Sequence, residues 1–181
     1  MNNSLKLGLK LFLITSITAF ALALTNNATM PLIEAKAQEK LQKSLATVLP
    51  ADSYDEVDVA DKPQSIEKVY KANGGKGEGY VFQISSPGGY GGPIEFLIGV
   101  GSDHKITGFA PLNHSESAGF GKRMEDDFFK EGMVGVSMDG EVKASKTGGE
   151  NEIVGITGAT ISTGTILRGI NDAVKVLGEL K

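Results

Sequence analysis

The chain has 181 residues and a formal net charge of −4, a size that favours one globular domain with an appendage. Its acidic balance, without a basic stripe of interleaved aromatic residues, argues against nucleic acid as a partner. The sequence contains no cysteine and two histidines, His104 and His114, which excludes disulfides and protein-held iron–sulfur clusters and argues against a metal site. Any redox chemistry would therefore depend on an organic cofactor.

The first predicted element is an apolar tract over residues 5–24. It just reaches the ~20 residues that a helix needs to cross a bilayer, provided that Lys10 extends toward the interface. Lys6 and Lys10 lie at its N-terminal side, and no further Lys or Arg occurs before Lys36. This asymmetry predicts a cytoplasmic N-terminus and an extracytoplasmic remainder.

A cleaved signal peptide is the competing interpretation of the same tract. Ala21 and Ala23 form an Ala-x-Ala pattern of the kind that precedes a cleavage site. The tract by itself leaves both interpretations open, and both place the domain outside the cytoplasm.

The chain divides into three segments by composition. We expect residues 1–30 to form a cytoplasmic N-terminus and a membrane anchor. Residues 31–50 mix apolar positions with Lys and Glu, which predicts an amphipathic stalk helix that begins near Pro31 and ends at Pro50. Residues 51–181 form the predicted extracytoplasmic domain.

The first half of this domain has the pattern of a β-sheet. Residues 51–65 are acidic and polar, and we expect a loop there. From Ile66 onward, short β-branched and aromatic runs alternate with glycine-rich breaks, which predicts an antiparallel meander of three to four strands. The runs are IEKVYKA, GYVFQIS, PIEFLIGVG and KITGFAPLN.

The second half of the domain adds helices. The segment GKRMEDDFFKEGM predicts a short charged helix with Met124, Phe128 and Phe129 facing inward, and one or two strands are expected over residues 133–153. After Thr160, apolar residues recur at the helical period, which predicts an amphipathic C-terminal helix. The predicted fold class is α+β: a small antiparallel β-sheet packed with helices and preceded by one transmembrane helix.

The segment GITGATIST, residues 155–163, leads into the last predicted helix. Its hydroxyl side chains are those of Thr157, Thr160, Ser162 and Thr163. One hydroxyl can cap the helix, with Gly158 in an unusual backbone conformation. The alternative is an anion site, because backbone N–H groups at a helix start attract phosphate. The Lys-Ser/Thr pair of a Walker loop is missing, so a phosphate held only here would dissociate unless a hydroxyl bound it covalently.

TGATIST resembles the flavin-attachment motif of the FMN-binding domain family. In that family the last Thr of Ser/Thr-Gly-Ala-Thr carries FMN through a phosphoester bond made by a separate flavin transferase. HSESAGFG resembles the family's His-x-Glu-Thr-Pro-Gly-Leu-Gly loop, and GGYGG resembles its Gly-Tyr-x-Gly strand pair. Within the family the chain most resembles the G subunits of Rnf-type ion-translocating electron transport complexes, and the C subunit of sodium-translocating NADH:quinone reductase is a larger relative.

The resemblance implies a set of site residues. Thr160 would carry the FMN, Gly158 and Ala159 would keep the turn open, and Thr157 and Thr163 would hydrogen-bond phosphate oxygens. The wall near the flavin ring would consist of Tyr90, Glu116, Ser117, Gly119, Phe120 and Gly121.

Two of these wall residues have a second interpretation, and one position departs from the family. Glu116 would accept a hydrogen bond from the ring or be an ordinary surface carboxylate. Tyr90 would stack on the ring or pack under the sheet. Val154 stands where the family usually has Asp, six residues before the modified Thr.

The resemblance also implies a function and a place in the cell. The chain would be a flavoprotein of the inner membrane that keeps its anchor and relays electrons through covalent FMN within a ferredoxin:NAD oxidoreductase complex. Its partners would be the other membrane subunits and the flavin transferase, and it would supply no catalytic residue of its own. Two alternatives remain: a free-standing extracytoplasmic FMN electron-transfer protein, and a non-redox surface module whose TGAT is only a cap.

Overall fold

The computed structural model describes residues 3–74 and 77–180. Residues up to Lys40 and residues from Leu41 onward form two compact units. In chain order the elements are helix α1 (Asn3–Val48), strands β1 (Ser53–Val57), β2 (Ile66–Asn73), β3 (Gly79–Gly89), β4 (Gly92–Gly101) and β5 (Ile106–Asn113), a 3₁₀ helix (Gly121–Glu125), helix α2 (Asp127–Met133), strands β6 (Lys143–Ser145) and β7 (Glu152–Val154), and helix α3 (Thr160–Glu179).

The apolar N-terminal tract lies within α1, which is long and apolar enough to cross a membrane. The expected start of a stalk helix at Pro31 is wrong, because α1 passes through Pro31 without a break. Proline lacks an N–H and is found most often in the first turn of a helix. Here the apolar run before it and the Ala, Glu and Lys residues after it both favour helix, so the chain continues in one conformation.

The main sheet has the predicted antiparallel meander topology, with strand order β1-β2-β3-β4-β5. The four predicted strands are confirmed, and β1 is a fifth. It lies in residues that we expected to form a loop and pairs with β2 from Ser53 opposite Asn73 to Val57 opposite Val69. This edge strand is mostly exposed, so its sequence lacks the apolar alternation by which strands are recognised.

Both faces of the sheet are covered. On one face, α3 packs over Phe82, Ile84 and Phe96. Gly169 of α3 allows the close approach, because a Cβ there would lie 2.6 Å from Ile84 Cγ2. On the other face, the last turns of α1 bury Leu45 among residues of the central strands. The two cores explain why β4 is buried without alternation from Phe96 to Val100.

The segment after β5 differs from its prediction. Met124 and Phe129 are buried as expected, but the prediction for Phe128 is wrong, because its side chain is 43% exposed. The reason is a break at Asp126, whose backbone is extended. The 3₁₀ helix and α2 therefore do not share one helical phase, and Phe128 turns outward beneath the guanidinium of Arg123, 4.9 Å from the ring centroid.

Candidate flavin site

A cavity of about 520 Å³ opens beside the start of α3. Three segments form its wall: the turn between β3 and β4, the loop that follows β5, and the first turn of α3. The lining residues are Tyr90, Glu116, Ser117, Ala118, Phe120, Gly121, Gly158, Ala159, Thr160, Ile161 and Ser162. Eight of the eleven residues singled out in the sequence line the cavity. Thr157, Thr163 and Gly119 are not among them.

The first turn of α3 lacks a side-chain cap. Ala159 occupies the N-cap position, and no side chain hydrogen-bonds the cap. The interpretation of TGAT as a hydroxyl cap is therefore wrong. Gly158 has a φ of +80°, the left-handed conformation expected for it. The first N–H groups of a helix have no partner within the helix, and Thr160, Ile161 and Ser162, which carry them, all line the cavity.

The four hydroxyl residues of the segment differ in exposure. Ser162 and Thr163 are buried, whereas Thr157 and Thr160 are exposed. The Thr163 hydroxyl accepts a hydrogen bond of 3.1 Å from the Ile156 N–H, so it supports the turn instead of facing the cavity. Of these four residues, Thr160 is the one that is both exposed and part of the cavity wall.

Glu116 connects the three segments. Its side chain is buried, with 7% exposed. The Ser162 hydroxyl donates to Oε2 over 2.5 Å, and the Gly91 N–H donates to Oε1 over 3.0 Å. Its own N–H donates to Nδ1 of His114 over 3.2 Å. Glu116 is therefore not an ordinary surface carboxylate, since it ties the loop to the β3–β4 turn and to α3.

Large apolar side chains are exposed around the cavity. Tyr90 is 74% exposed, Phe120 56% and Ile161 54%. Tyr90 lies at the tip of the β3–β4 turn, so its packing under the sheet is excluded. Phe120 extends over the TGAT turn, where a Cβ at Gly158 would lie 3.3 Å from its ring. Exposed aromatic groups around a concave site favour a flat apolar ligand.

Three residues of the cavity wall lie in the quoted motifs but received no role in the sequence analysis. Ser162 is four residues before Ile166 and eight before Ile170, so the helical period could have placed it on the buried face of α3. The other two, Ala118 in HSESAGFG and Ile161 in TGATIST, are apolar and carry no hydrogen-bonding group that would mark them as contacts.

The charges at the site are few. Among the residues that the structure describes, Glu116 is the one charged residue in the cavity wall, and neither Lys nor Arg lines it. Arg168 does not contribute a positive charge to the wall. Its guanidinium donates to the Pro87 carbonyl over 3.1 Å and to the Thr165 hydroxyl over 2.7 Å, and so it fastens α3 to the β3–β4 turn.

Comparison with known proteins identifies the family. Residues 89–175 match the FMN-binding domain. The chain is 32% identical to the G subunit of the Na(+)-translocating ferredoxin:NAD(+) oxidoreductase complex of Acetobacterium woodii, with 97% of this chain and 92% of the relative covered. It is 36% identical to the G subunit of the ion-translocating oxidoreductase complex of Cereibacter sphaeroides, with coverage of 90% and 81%. The chain belongs to this family of G subunits.

Solved structures share the predicted α+β fold. The C subunit of the Na(+)-translocating NADH-quinone reductase from Parabacteroides distasonis superposes with a TM-score of 0.50 at 23% identity, covering 61% of this chain and 62% of that one. NqrC of Shewanella oneidensis gives a TM-score of 0.52 at 17% identity, with coverage of 74% and 68%. The fold prediction is confirmed. Together with the apolar helix α1, membership of the G-subunit family supports association with a membrane.

The cavity fits FMN, the cofactor that the matched domain is named for. Its volume of about 520 Å³ is within the range of about 300–1,000 Å³ that is usual for small-molecule sites. The aromatic rim suits the flavin ring. The uncapped start of α3 suits the phosphate, because the helix dipole and its N–H groups attract anions.

Proposed function

We propose that the chain is the membrane-anchored subunit that relays electrons through FMN within an Rnf-type ion-translocating ferredoxin:NAD oxidoreductase complex. The FMN is bound to Thr160 through a phosphoester that a flavin transferase makes. Other subunits react with ferredoxin and NAD, and electron transfer through the complex drives ion transport across the membrane. The names of the related G subunits and the FMN-binding domain support this proposal.

The main support for this proposal is the position of Thr160. Thr160 is exposed and is the first residue of α3, on the cavity wall, a position at which a transferase would have access to its hydroxyl. A phosphate there would receive hydrogen bonds from the N–H groups of the first turn. No Lys or Arg among the described residues lines the cavity, so these contacts alone would hold FMN weakly. A covalent bond keeps the cofactor in a compartment where free FMN cannot replace it by mass action.

The other residues hold and orient the cofactor. Tyr90, Phe120 and Ile161 provide the apolar surface for the ring, and Gly158 with Ala159 keeps the turn open for the phosphate. Bound FMN supplies reversible electron uptake, and the protein supplies position and electrostatics. Thr157 remains a candidate donor to the phosphate. We assign Thr163 to support of the turn, because it is buried, does not line the cavity and accepts from the Ile156 N–H.

Substitution of Thr160 tests the attachment. The full-length chain is co-expressed with a flavin transferase, and covalent FMN is detected by fluorescence on a denaturing gel and by intact mass. Thr160→Ala should abolish the signal while the chain remains folded. The matched control Thr157→Ala, an exposed Thr of the same turn, should lower occupancy without abolishing it. A covalent flavin in Thr160→Ala would contradict the assignment.

Isolation of the chain from its native membrane tests the proposed complex. A tagged chain should co-purify with several membrane subunits and with ferredoxin:NAD oxidoreductase activity. Recovery of a flavin-loaded chain alone would favour a free-standing electron-transfer protein. Recovery of a chain without flavin from cells that contain the transferase would favour a non-redox module.

We further propose one membrane crossing within residues 1–30, with the N-terminus in the cytoplasm and residues 51–181 outside. Lys6 and Lys10 on one flank of the apolar tract support this orientation. Protease added to intact cells stripped of their outer layers should digest the domain. Complete protection of the domain would show the opposite orientation.

A further inference from the structure

We propose that the Glu116 carboxylate is a fixed negative charge that lowers the reduction potential of the flavin bound in the cavity. This inference rests on the proposed function, because it requires FMN in the cavity. It goes beyond that function because it assigns a tuning role to a residue that neither carries the cofactor nor transfers electrons.

Glu116 has a hydrogen-bond partner at each of its two carboxylate oxygens. Both carboxylate oxygens accept, Oε2 from the Ser162 hydroxyl and Oε1 from the Gly91 N–H. The Gly91 N–H can only donate, whereas the Ser162 hydroxyl can donate or accept. An ionised carboxylate satisfies both partners, because it accepts at each oxygen.

The position of the charge is fixed by glycines. A Cβ at Gly89 would lie 2.7 Å from Oε1, and a Cβ at Gly121 would overlap both Oε2 and the Ser162 hydroxyl. The backbone therefore approaches the carboxylate closely on two sides. Because the side chain is also buried, water screens its charge poorly.

No cation on the cavity wall compensates this charge among the described residues. Arg168 is directed to Pro87 and Thr165. His114 accepts the Glu116 N–H at Nδ1, and its Nε2 faces Glu125 at 3.0 Å. An electron delivered to the cavity adds one negative charge unless a proton enters with it. The Glu116 carboxylate opposes that addition, and so it shifts the equilibrium toward the oxidised state.

Glutamine is the variant that separates charge from shape. The Gln side chain has the same outline, so it fits between the same glycines. Its amide oxygen can accept from the Gly91 N–H, and its NH₂ group can donate to the Ser162 hydroxyl, which also accepts. Glu116→Gln therefore removes the charge and retains both contacts.

The test is a reductive titration of the full-length chain in detergent, loaded with FMN by co-expression with a flavin transferase. Dithionite supplies the electrons, and flavin absorbance is followed against reference dyes. We expect Glu116→Gln to raise the equilibrium constant for one-electron reduction about tenfold, a shift of about 59 mV to more positive potential. The matched control Glu131→Gln, an exposed residue of α2 outside the cavity, should leave the potential unchanged. Covalent occupancy of Glu116→Gln is measured before the titration, so that the potential is read from flavin-loaded chains.

A second variant keeps the inference testable if Glu116→Gln does not accumulate. Ala118 is exposed and lines the cavity, so Ala118→Lys adds a compensating cation without disturbing the core. It should raise the potential in the same direction, and Ala118→Gln should not. Potentials that stay at the parent value in the charge-changing variants would overturn the inference. The denaturing gel is read before any titration and shows whether the parent chain carries covalent FMN. A parent chain without it would contradict the proposed function itself.

Discussion

The last C=O groups of α1 and the first N–H groups of α3 have no hydrogen-bond partner within their own helix. The two helix ends differ in whether side chains elsewhere in the protein supply these partners. At the end of α1, the Thr107 hydroxyl donates to the Val48 carbonyl over 2.6 Å, and the Tyr54 hydroxyl donates to the Leu49 carbonyl over 2.7 Å. At the start of α3, the first residues face a cavity without a side-chain cap.

Glycines occur at both helix ends, where they allow close packing at the end of α1 and an open turn at the start of α3. Gly99 and Gly108 lie opposite each other in β4 and β5 and form a notch for the α1 backbone, where a Cβ at Gly108 would lie 2.7 Å from Val48 Cα. Gly158 instead has a left-handed conformation in the TGAT turn, near the exposed first residue of α3. The closed helix end contributes stability, and the open one is available to a ligand. Substitutions at the closed end should therefore affect unfolding, and those at the open end the cofactor.

The largest effect should follow from Leu45→Ala at the closed end. The Leu45 side chain is 1% exposed and packs against the central strands. Its truncation should lower the free energy of unfolding of the domain by about 2–5 kcal/mol, because apolar contacts are lost and a cavity remains. Denaturant unfolding of the full-length chain in detergent measures this, with the exposed Gln42→Ala as the matched control. Covalent FMN occupancy under native conditions should be unchanged, and a loss of occupancy without unfolding would contradict the separation of the two helix ends.

Gly108→Ala should have a smaller effect at the same end. The added methyl group meets backbone atoms of Val48, which cannot move aside as a flexible side chain can. We expect a loss of about 1–3 kcal/mol in the free energy of unfolding, as is usual for overpacking. Gly132→Ala is the control, because nothing lies within 4 Å of a Cβ there and alanine favours helix. Equal unfolding curves for the two variants would show that the notch does not constrain α1.

The sequence predicts the elements that have a strong apolar pattern. It also predicts the part of the site that is formed by one continuous motif. The four central strands and α3 have such patterns, and TGAT correctly identifies a turn that opens onto the cavity. Edge strand β1 was missed because its residues are mostly exposed, and Phe128 was misplaced because one extended residue, Asp126, changes the helical phase. Pattern analysis of a short segment detects neither effect.

The contacts of Glu116 show a second limit. The family loop indicated that this residue lies at the site, but its partners come from Gly91 and Ser162, which are 25 and 46 residues away in the chain. Only the fold brings these segments together, so no local spacing could reveal that the carboxylate already has two donors. The same holds for Thr163, whose hydroxyl is used by the turn.

The smallest effect on stability should follow from Ile161→Ser at the open end. Ile161 is 54% exposed and lines the cavity beside Thr160, so its side chain contributes little to the core. In chains made without the flavin transferase, we expect the free energy of unfolding to change by no more than about 0.5 kcal/mol, as is usual for surface positions. In FMN-loaded chains, the flavin should become more accessible to water, because an apolar wall of its site is lost, and quenching of its fluorescence by added iodide should increase. A stability loss like that of Leu45→Ala would show that Ile161 packs in the core. Unchanged quenching would show that the ring does not lie against this wall.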